Sequence, residues 1–218
     1  MRRNERDRQA DRERFYMLLN RLSERSKGAR LLAKCDGQMN LPECGIYFFQ
    51  ETDELRANGK PRIARIGTHR ITQTSRTKLW DRLRQHRGVL STGGGNHRGS
   101  IFRGLVGFAL MQRHGLNCPT WLKKDAISIA NQKGELELEC LVSQYIGNKM
   151  LLLWLAVPKL EQRKFIERHA IALLSGYDNR DADSPSASWL GHDSNKEKVR
   201  RSGLWNQQYI MRIMTPPF

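Results

Sequence analysis

Hydrophobic and polar positions change period several times along this chain, and each change marks a new element. Over residues 1–30, Phe15, Leu18, Leu19 and Leu22 fall near helical spacing among ten Lys or Arg and five Asp or Glu, the pattern of a basic amphipathic helix with a frayed start. The stretch "ECGIYFFQE" is short, aromatic and β-branched, "ELRANGKP" is a polar turn, and "RIARIGTH" carries Ile63 and Ala64 or Ile66 on alternate faces, so two strands joined as a hairpin are predicted. Ser75 can cap a helix running through Arg87, and the glycine-rich "STGGGNHRGS" breaks the chain before another helix near 101–113. Residues 120–130 and 159–174 read as helical, and 136–143 and 150–157 as extended. The fold class is therefore α/β in the α+β sense: a small antiparallel sheet flanked by helices, without internal repeats.

Length and charge narrow this picture. A chain of 218 residues can bury one core with decorations, which we divide into a basic helical arm (1–40), a central domain (41–180) and a C-terminal extension (181–218). Lys and Arg number 38 against 22 Asp and Glu, a formal charge of +16 that attracts polyanions and points to nucleic acid as the partner. The four cysteines have no C-x-x-C pairing and no histidine at ligand spacing, which excludes a zinc ribbon or a disulfide framework. "MLLLWLAVP" at 150–158 is too short to cross a bilayer, so no membrane role and a cytoplasmic location are expected. Trp189 and Trp205, beside Arg200 and Arg201, can stack on nucleotides, although indoles in such an extension more often close over a core.

Candidate chemistry begins with "LWDRLRQH", where a helix aims Arg82 and His86, four residues apart, the same way. Glu167 borders an apolar helical stripe of Phe165, Ile166, Ala170 and Leu173, with a surface pair to Arg163 as its ordinary alternative. Taken in order, Gly-Ile-Tyr at 45–47, a strand ending Arg-Ile-Gly at 65–67, the Arg82 and His86 helix, and Glu167 twelve residues before Asn179 together resemble the GIY-YIG nuclease family. The resemblance spans about residues 43–180. A literal Tyr-Ile-Gly at 145–147 lies too far from Gly45 and precedes no such helix, so it is treated as coincidence.

That resemblance implies a three-stranded sheet flanked by helices, and divalent-metal-assisted cleavage of a DNA phosphodiester with Mg²⁺ or Mn²⁺ as cofactor. It implies that Tyr47 activates or positions water, Arg82 binds the scissile phosphate, His86 sits near the nucleophile, Glu167 is the single carboxylate on the metal, and Asn179 holds the architecture. These residue types suit the chemistry. A guanidinium can grip two phosphate oxygens while staying charged, and hard Mg²⁺ needs one carboxylate if water and phosphate complete its shell. The family's second tyrosine is replaced by Arg65, which is expected to lie near Tyr47 and either favour the phenolate or add a phosphate contact.

His69, just after "RIGT", is a further candidate for the site. Gly94 and Gly99 have the spacing of a nucleotide-binding loop, but Ser100 stands in place of the lysine, so ATP binding is not expected. The loop reads instead as a mobile basic segment over DNA, with His97 and Arg98, and then Arg103, Arg200 and Arg201, as nucleic-acid contacts. The expected substrate is duplex DNA, with a homodimer if both strands are cut together. Two other readings stay open: a catalytically inactive DNA-binding module on the same fold, altered at Arg65, and an RNA-directed protein.

Overall fold

β2 (Gly45–Leu55) and β3 (Pro61–Thr68) form the hairpin the sequence predicts. It closes through Arg56 N–H to the Lys60 carbonyl at 2.8 Å, with Gly59 at φ +75°. This computed structural model describes residues 3–69, 77–123, 129–178 and 183–211. Ahead of the hairpin come α1 (Arg3–Arg25) and the two-residue β1 (Arg30–Leu31). After it come α2 (Leu79–Arg87), α3 (Ile101–His114), α4 (Ile129–Lys149), β4 (Met150–Ala156), α5 (Leu160–Leu174) and α6 (Glu197–Ser202). The sheet is antiparallel in the order β1-β4-β2-β3, so the three expected strands are joined by a fourth, very short one at the β4 edge.

Both faces of the sheet are covered, which is why β2 reads as a continuous apolar run rather than an alternation. On one face Tyr47, Phe49 and Ala64 pack with Leu79 and Leu83 of α2, Phe102 and Val106 of α3, Val142 of α4, and Trp189 and Trp205 of the C-terminal extension. On the other, Ile46, Phe48, Ile63 and Ile66 meet Tyr16 and Leu19 of α1 and Ile171 and Leu174 of α5. The buried face of α1 is centred on Tyr16 and Leu19; Leu18, expected on the apolar stripe, is 54% exposed. Both tryptophans thus close over the core, and their indole N–H groups donate to the buried Glu51 carboxylate at 3.0 and 3.2 Å. Glu51 also accepts from Tyr145, placing the coincidental Tyr-Ile-Gly in α4 rather than on a strand.

The main departure from sequence expectation is α4. The segment "ELELEC" alternates like a strand, and residues 136–143 were expected to be extended, yet they lie inside this helix. The wider pattern decides it: Leu138, Val142 and Ile146 recur every fourth residue as one buried stripe, and Glu and Leu are strong helix formers. The helix expected at 120–130 is also displaced. Trp121 sits in a turn under α3, donating to the Gly104 carbonyl at 3.0 Å, residues 124–128 lie outside the described residues, and α4 begins at Ile129. The start of α2 is Leu79, capped by Lys78 N–H on Asp81 at 2.8 Å; Ser75 lies outside the described residues.

β3 is an edge strand, and unpaired edges are usually shielded. Here the shielding is assembled from distant parts of the chain. Tyr16 Oη accepts from Ile63 N–H at 3.2 Å, Trp205 N–H donates to the Ala64 carbonyl at 2.8 Å, and the Asn206 side chain pairs with both N–H and C=O of Ile66 at 3.1 and 2.8 Å. A shift of register between Phe49 and Gln50 leaves Ala64 as an extra residue, a bulge that sets Arg65 opposite Phe49 and on the Tyr47 side.

Candidate active site

Tyr47 of β2 is paired with Gly67 of β3, and its ring lies directly across that glycine. A Cβ at Gly67 would land on the phenol, so the "IG" of the second strand is required by the tyrosine of the first. Gly45 is equally constrained, because a Cβ there would run into the Leu155 carbonyl of β4. Gly67→Ala is therefore expected to lose about 1–3 kcal/mol of stability through overpacking and to displace the Tyr47 ring. Urea unfolding together with tyrosine fluorescence would check this, and an unchanged midpoint would contradict the packing.

The Tyr47 oxygen is held from two sides. His86 Nε2 of α2 lies 2.8 Å away, and Arg65 Nε donates to it at 3.2 Å. Tyr47 and His86 are both 0% exposed. Arg65 is itself fixed, since one terminal nitrogen donates to the Trp205 carbonyl at 2.6 Å and its guanidinium lies 4.8 Å from the centre of the Phe102 ring. His86 Nδ1 meets Ser100 Oγ at 2.8 Å. Burial, and then the positive charges of Arg82, Arg65 and Arg103, hold His86 well below its ordinary value, so the imidazole is neutral.

Above this buried layer lies a polar surface. Arg82, one turn before His86 on α2, donates to the Gln85 side chain at 2.9 Å and to the Gly99 carbonyl at 3.3 Å. Glu167 approaches from α5, which packs against β3. Burial pushes this carboxyl up, opposed by the charge of Arg65, the Thr68 backbone and the charge of Arg82, so the acid is within electrostatic reach of both guanidinium groups. The alternative partner Arg163 turns away to donate to the carbonyls of Val157 and Pro158 at 2.8 and 2.6 Å. His69 ties the end of β3 to the Glu43 carbonyl at 2.8 Å. Asn179 lies outside the described residues.

Two expected nucleic-acid contacts, His97 and Arg103, are corrected by their burial, while Arg98 stays exposed beside its acidic partner. His97 is buried, stacked on Trp121 with centroids 3.8 Å apart, and bonded to Glu139 at 2.9 Å. Arg103 is 0% exposed and grips Glu139, the His86 carbonyl at 2.9 Å and Ser143 at 2.9 Å. Arg98 forks onto both oxygens of Glu135 at 2.8 Å. The glycine-rich loop is not a free basic flap, because two glutamates of α4 neutralise it and draw it down. Burial would raise Glu139, but the bonds from His97 and the charge of Arg103 overcome this and hold it below the usual carboxylate range. Arg200 and Arg201 stay exposed on α6, the latter lying 3.9 Å from the centre of the Tyr177 ring.

Ser100, Trp205 and Asn206 reach the site without having been expected there. Ser100 was legible as a helix cap before "IFR", and its oxygen does accept from Arg103 N–H. Among the described residues no three His, Cys, Asp or Glu side chains gather as a metal cage. Glu167 offers one carboxylate, a hard oxygen donor of the kind that can hold a divalent ion when water and phosphate complete the shell. Among the described residues no helix is long and apolar enough to cross a membrane.

Compared with known protein families, residues 6–218 match the GIY-YIG domain. No curated protein and no solved structure matches the chain.

Proposed function

The chain belongs to the GIY-YIG family of nucleases, and from that premise we propose that it hydrolyses phosphodiester bonds of duplex DNA with a divalent ion. One observation carries this reading. A phenol, two guanidinium groups, a neutral imidazole and one carboxylate, contributed by β2, β3, α2 and α5, surround a single region of a chain with charge +16.

Hydrolysis needs an activated water, neutralisation of charge growing on the phosphoryl oxygens, and help for the leaving oxygen. Arg82 offers a fork that is only partly engaged by Gln85 and Gly99, so it can take phosphate oxygens as the pentacovalent charge develops. Arg65, anchored on the Trp205 carbonyl, donates to the Tyr47 oxygen and steadies the charge that passes through it as a proton moves. The Tyr47 oxygen takes the proton of the attacking water as it passes its own hydrogen to the neutral His86 Nε2, 2.8 Å away, so the proton ends on the imidazole. Glu167 would hold Mg²⁺ or Mn²⁺, which when bound supplies Lewis-acid stabilisation at the phosphate.

A second reading, a DNA-binding module without catalysis, is favoured by the complete burial of Tyr47 beneath Arg65. Supercoiled plasmid separates the two. A nuclease nicks or linearises it with Mg²⁺ or Mn²⁺ but not with EDTA, and Arg82→Ala slows it by about 10²–10³. Binding without cleavage in any divalent ion would overturn the nuclease reading. Competition by single-stranded RNA, in the same assay, reports the preferred polymer.

A further inference from the structure

Glu139 of α4, 4% exposed, is the hub of a buried network behind the candidate site. Held below the usual carboxylate range, it is ionised and can only accept. It takes hydrogens from the His97 backbone N–H at 2.6 Å, His97 Nδ1 at 2.9 Å, Arg103 Nε at 2.9 Å and Arg103 Nη2. Both partners lead to α2. Arg103 gives its other terminal nitrogen to the His86 carbonyl at 2.9 Å and its backbone N–H to Ser100 Oγ, which lies 2.8 Å from His86 Nδ1. His97 opens a single 3-10 turn, His97–Gly99, and the Gly99 carbonyl at its end accepts from Arg82 at 3.3 Å. Glycines make room for this arm: a Cβ on Gly95 would fall on the Arg103 guanidinium, and one on Gly88 would meet both Arg103 and Ser143.

Stability gives little reason for such a pair. The attraction between two buried charges barely repays their desolvation, and apolar side chains of similar volume commonly serve as well. What an apolar pair lacks is direction. Four bonds to one carboxylate fix where Arg103 and the 97–100 segment sit, and these are the parts that touch Arg82 and His86. We propose that Glu139 is a positioning residue: acting through His97 and Arg103, its carboxylate sets the places of Arg82 and His86. The chemistry is sensitive to those places. Arg82 must present its fork to the phosphate and His86 Nε2 must stay 2.8 Å from the Tyr47 oxygen, and a displacement of about 1 Å in such groups costs about 10²-fold in rate.

The catalytic meaning rests on the nuclease reading, whereas the geometric link is testable without it. In ¹H–¹⁵N spectra of the histidine-labelled full-length chain, with His86→Gln to identify the resonances, Glu139→Gln is expected to shift the ring signals of His86, which it reaches only through Arg103. Unmoved His86 signals overturn the proposal whether or not the protein cuts DNA. The combined variant Glu139→Met with Arg103→Met removes both charges at similar volume, so its urea midpoint should stay near that of the wild type. Its kcat on plasmid is expected to fall by about ten- to a hundredfold with KM little changed. A combined variant that keeps both midpoint and rate would make the pair a fold element alone and sink the positioning role. Gly95→Ala, at an exposed loop position, displaces the guanidinium with both charges in place and carries the same two readouts if either variant does not fold. A wild-type protein that never cuts would sink the nuclease reading and leave the His86 result to decide the link.

Discussion

Glu167→Gln is expected to abolish divalent-dependent cleavage, by at least about 10³-fold, while DNA binding is retained or strengthened and the protein becomes no less stable. The three outcomes have one origin. Burial holds the carboxyl above its ordinary value, so ionising it costs more in the folded protein than in the unfolded chain. A raised folded value means that stability from this group is greatest when it is protonated and is lost as pH rises through that value. A neutral amide of the same shape removes the burden. It also removes the negative charge that offsets Arg65 and Arg82, which makes the surface more attractive to phosphate. A structural acid would behave in the opposite way, so a clear fall in the unfolding midpoint with cleavage intact would refute the proposed role. Gel shift in Ca²⁺, plasmid cleavage in Mg²⁺ and urea unfolding measure the three separately.

The parts of this arrangement that were readable in the sequence are those carried by short-range geometry. Strand pairing around one hairpin sets Tyr47 against Gly67 and puts Arg65 nearby, and the i, i+4 relation puts Arg82 and His86 on one side of α2. The family resemblance extended this to Glu167, whose approach from α5 no local pattern reveals. Other parts depend on charges that a single sequence reports as exposed. Arg103 and His97 read as basic loop residues because their partner, Glu139, is about forty positions away on a helix whose "ELELE" imitates a strand. Once α4 is recognised as helical, Glu135 and Glu139 fall one turn apart and become the obvious sinks for Arg98 and Arg103. Reading the wrong period therefore misplaces the side chains of His97 and Arg103 as well as one element.

The C-terminal extension supplies the other illegible part, and its removal has the largest expected effect on stability. Trp205→Ala should lower the unfolding free energy by about 3–5 kcal/mol, the usual range for emptying a fully buried aromatic site. Its indole fills the cluster between Phe102 and Trp189, at ring separations of 6.0 and 5.3 Å, and its N–H is one of the donors that make the buried Glu51 carboxylate tolerable. Burial already pushes Glu51 up, with the bonds from Tyr145, Trp189 and Trp205 opposing it, so losing a donor leaves that acid more costly to ionise. Trp205→Phe keeps most of the packing and loses only this donor, so it should cost about 1–3 kcal/mol. The same residue bears on the chemistry through its backbone, whose N–H holds the Ala64 carbonyl and whose carbonyl holds Arg65. Cavity collapse that moves this backbone releases Arg65 from its place over Tyr47, so Trp205→Ala is expected to lose cleavage even at temperatures where it remains folded. Equal activity of folded Trp205→Ala and wild type would show that Arg65 needs no such anchor, and a midpoint shift below about 1 kcal/mol would show that the extension is not part of the core.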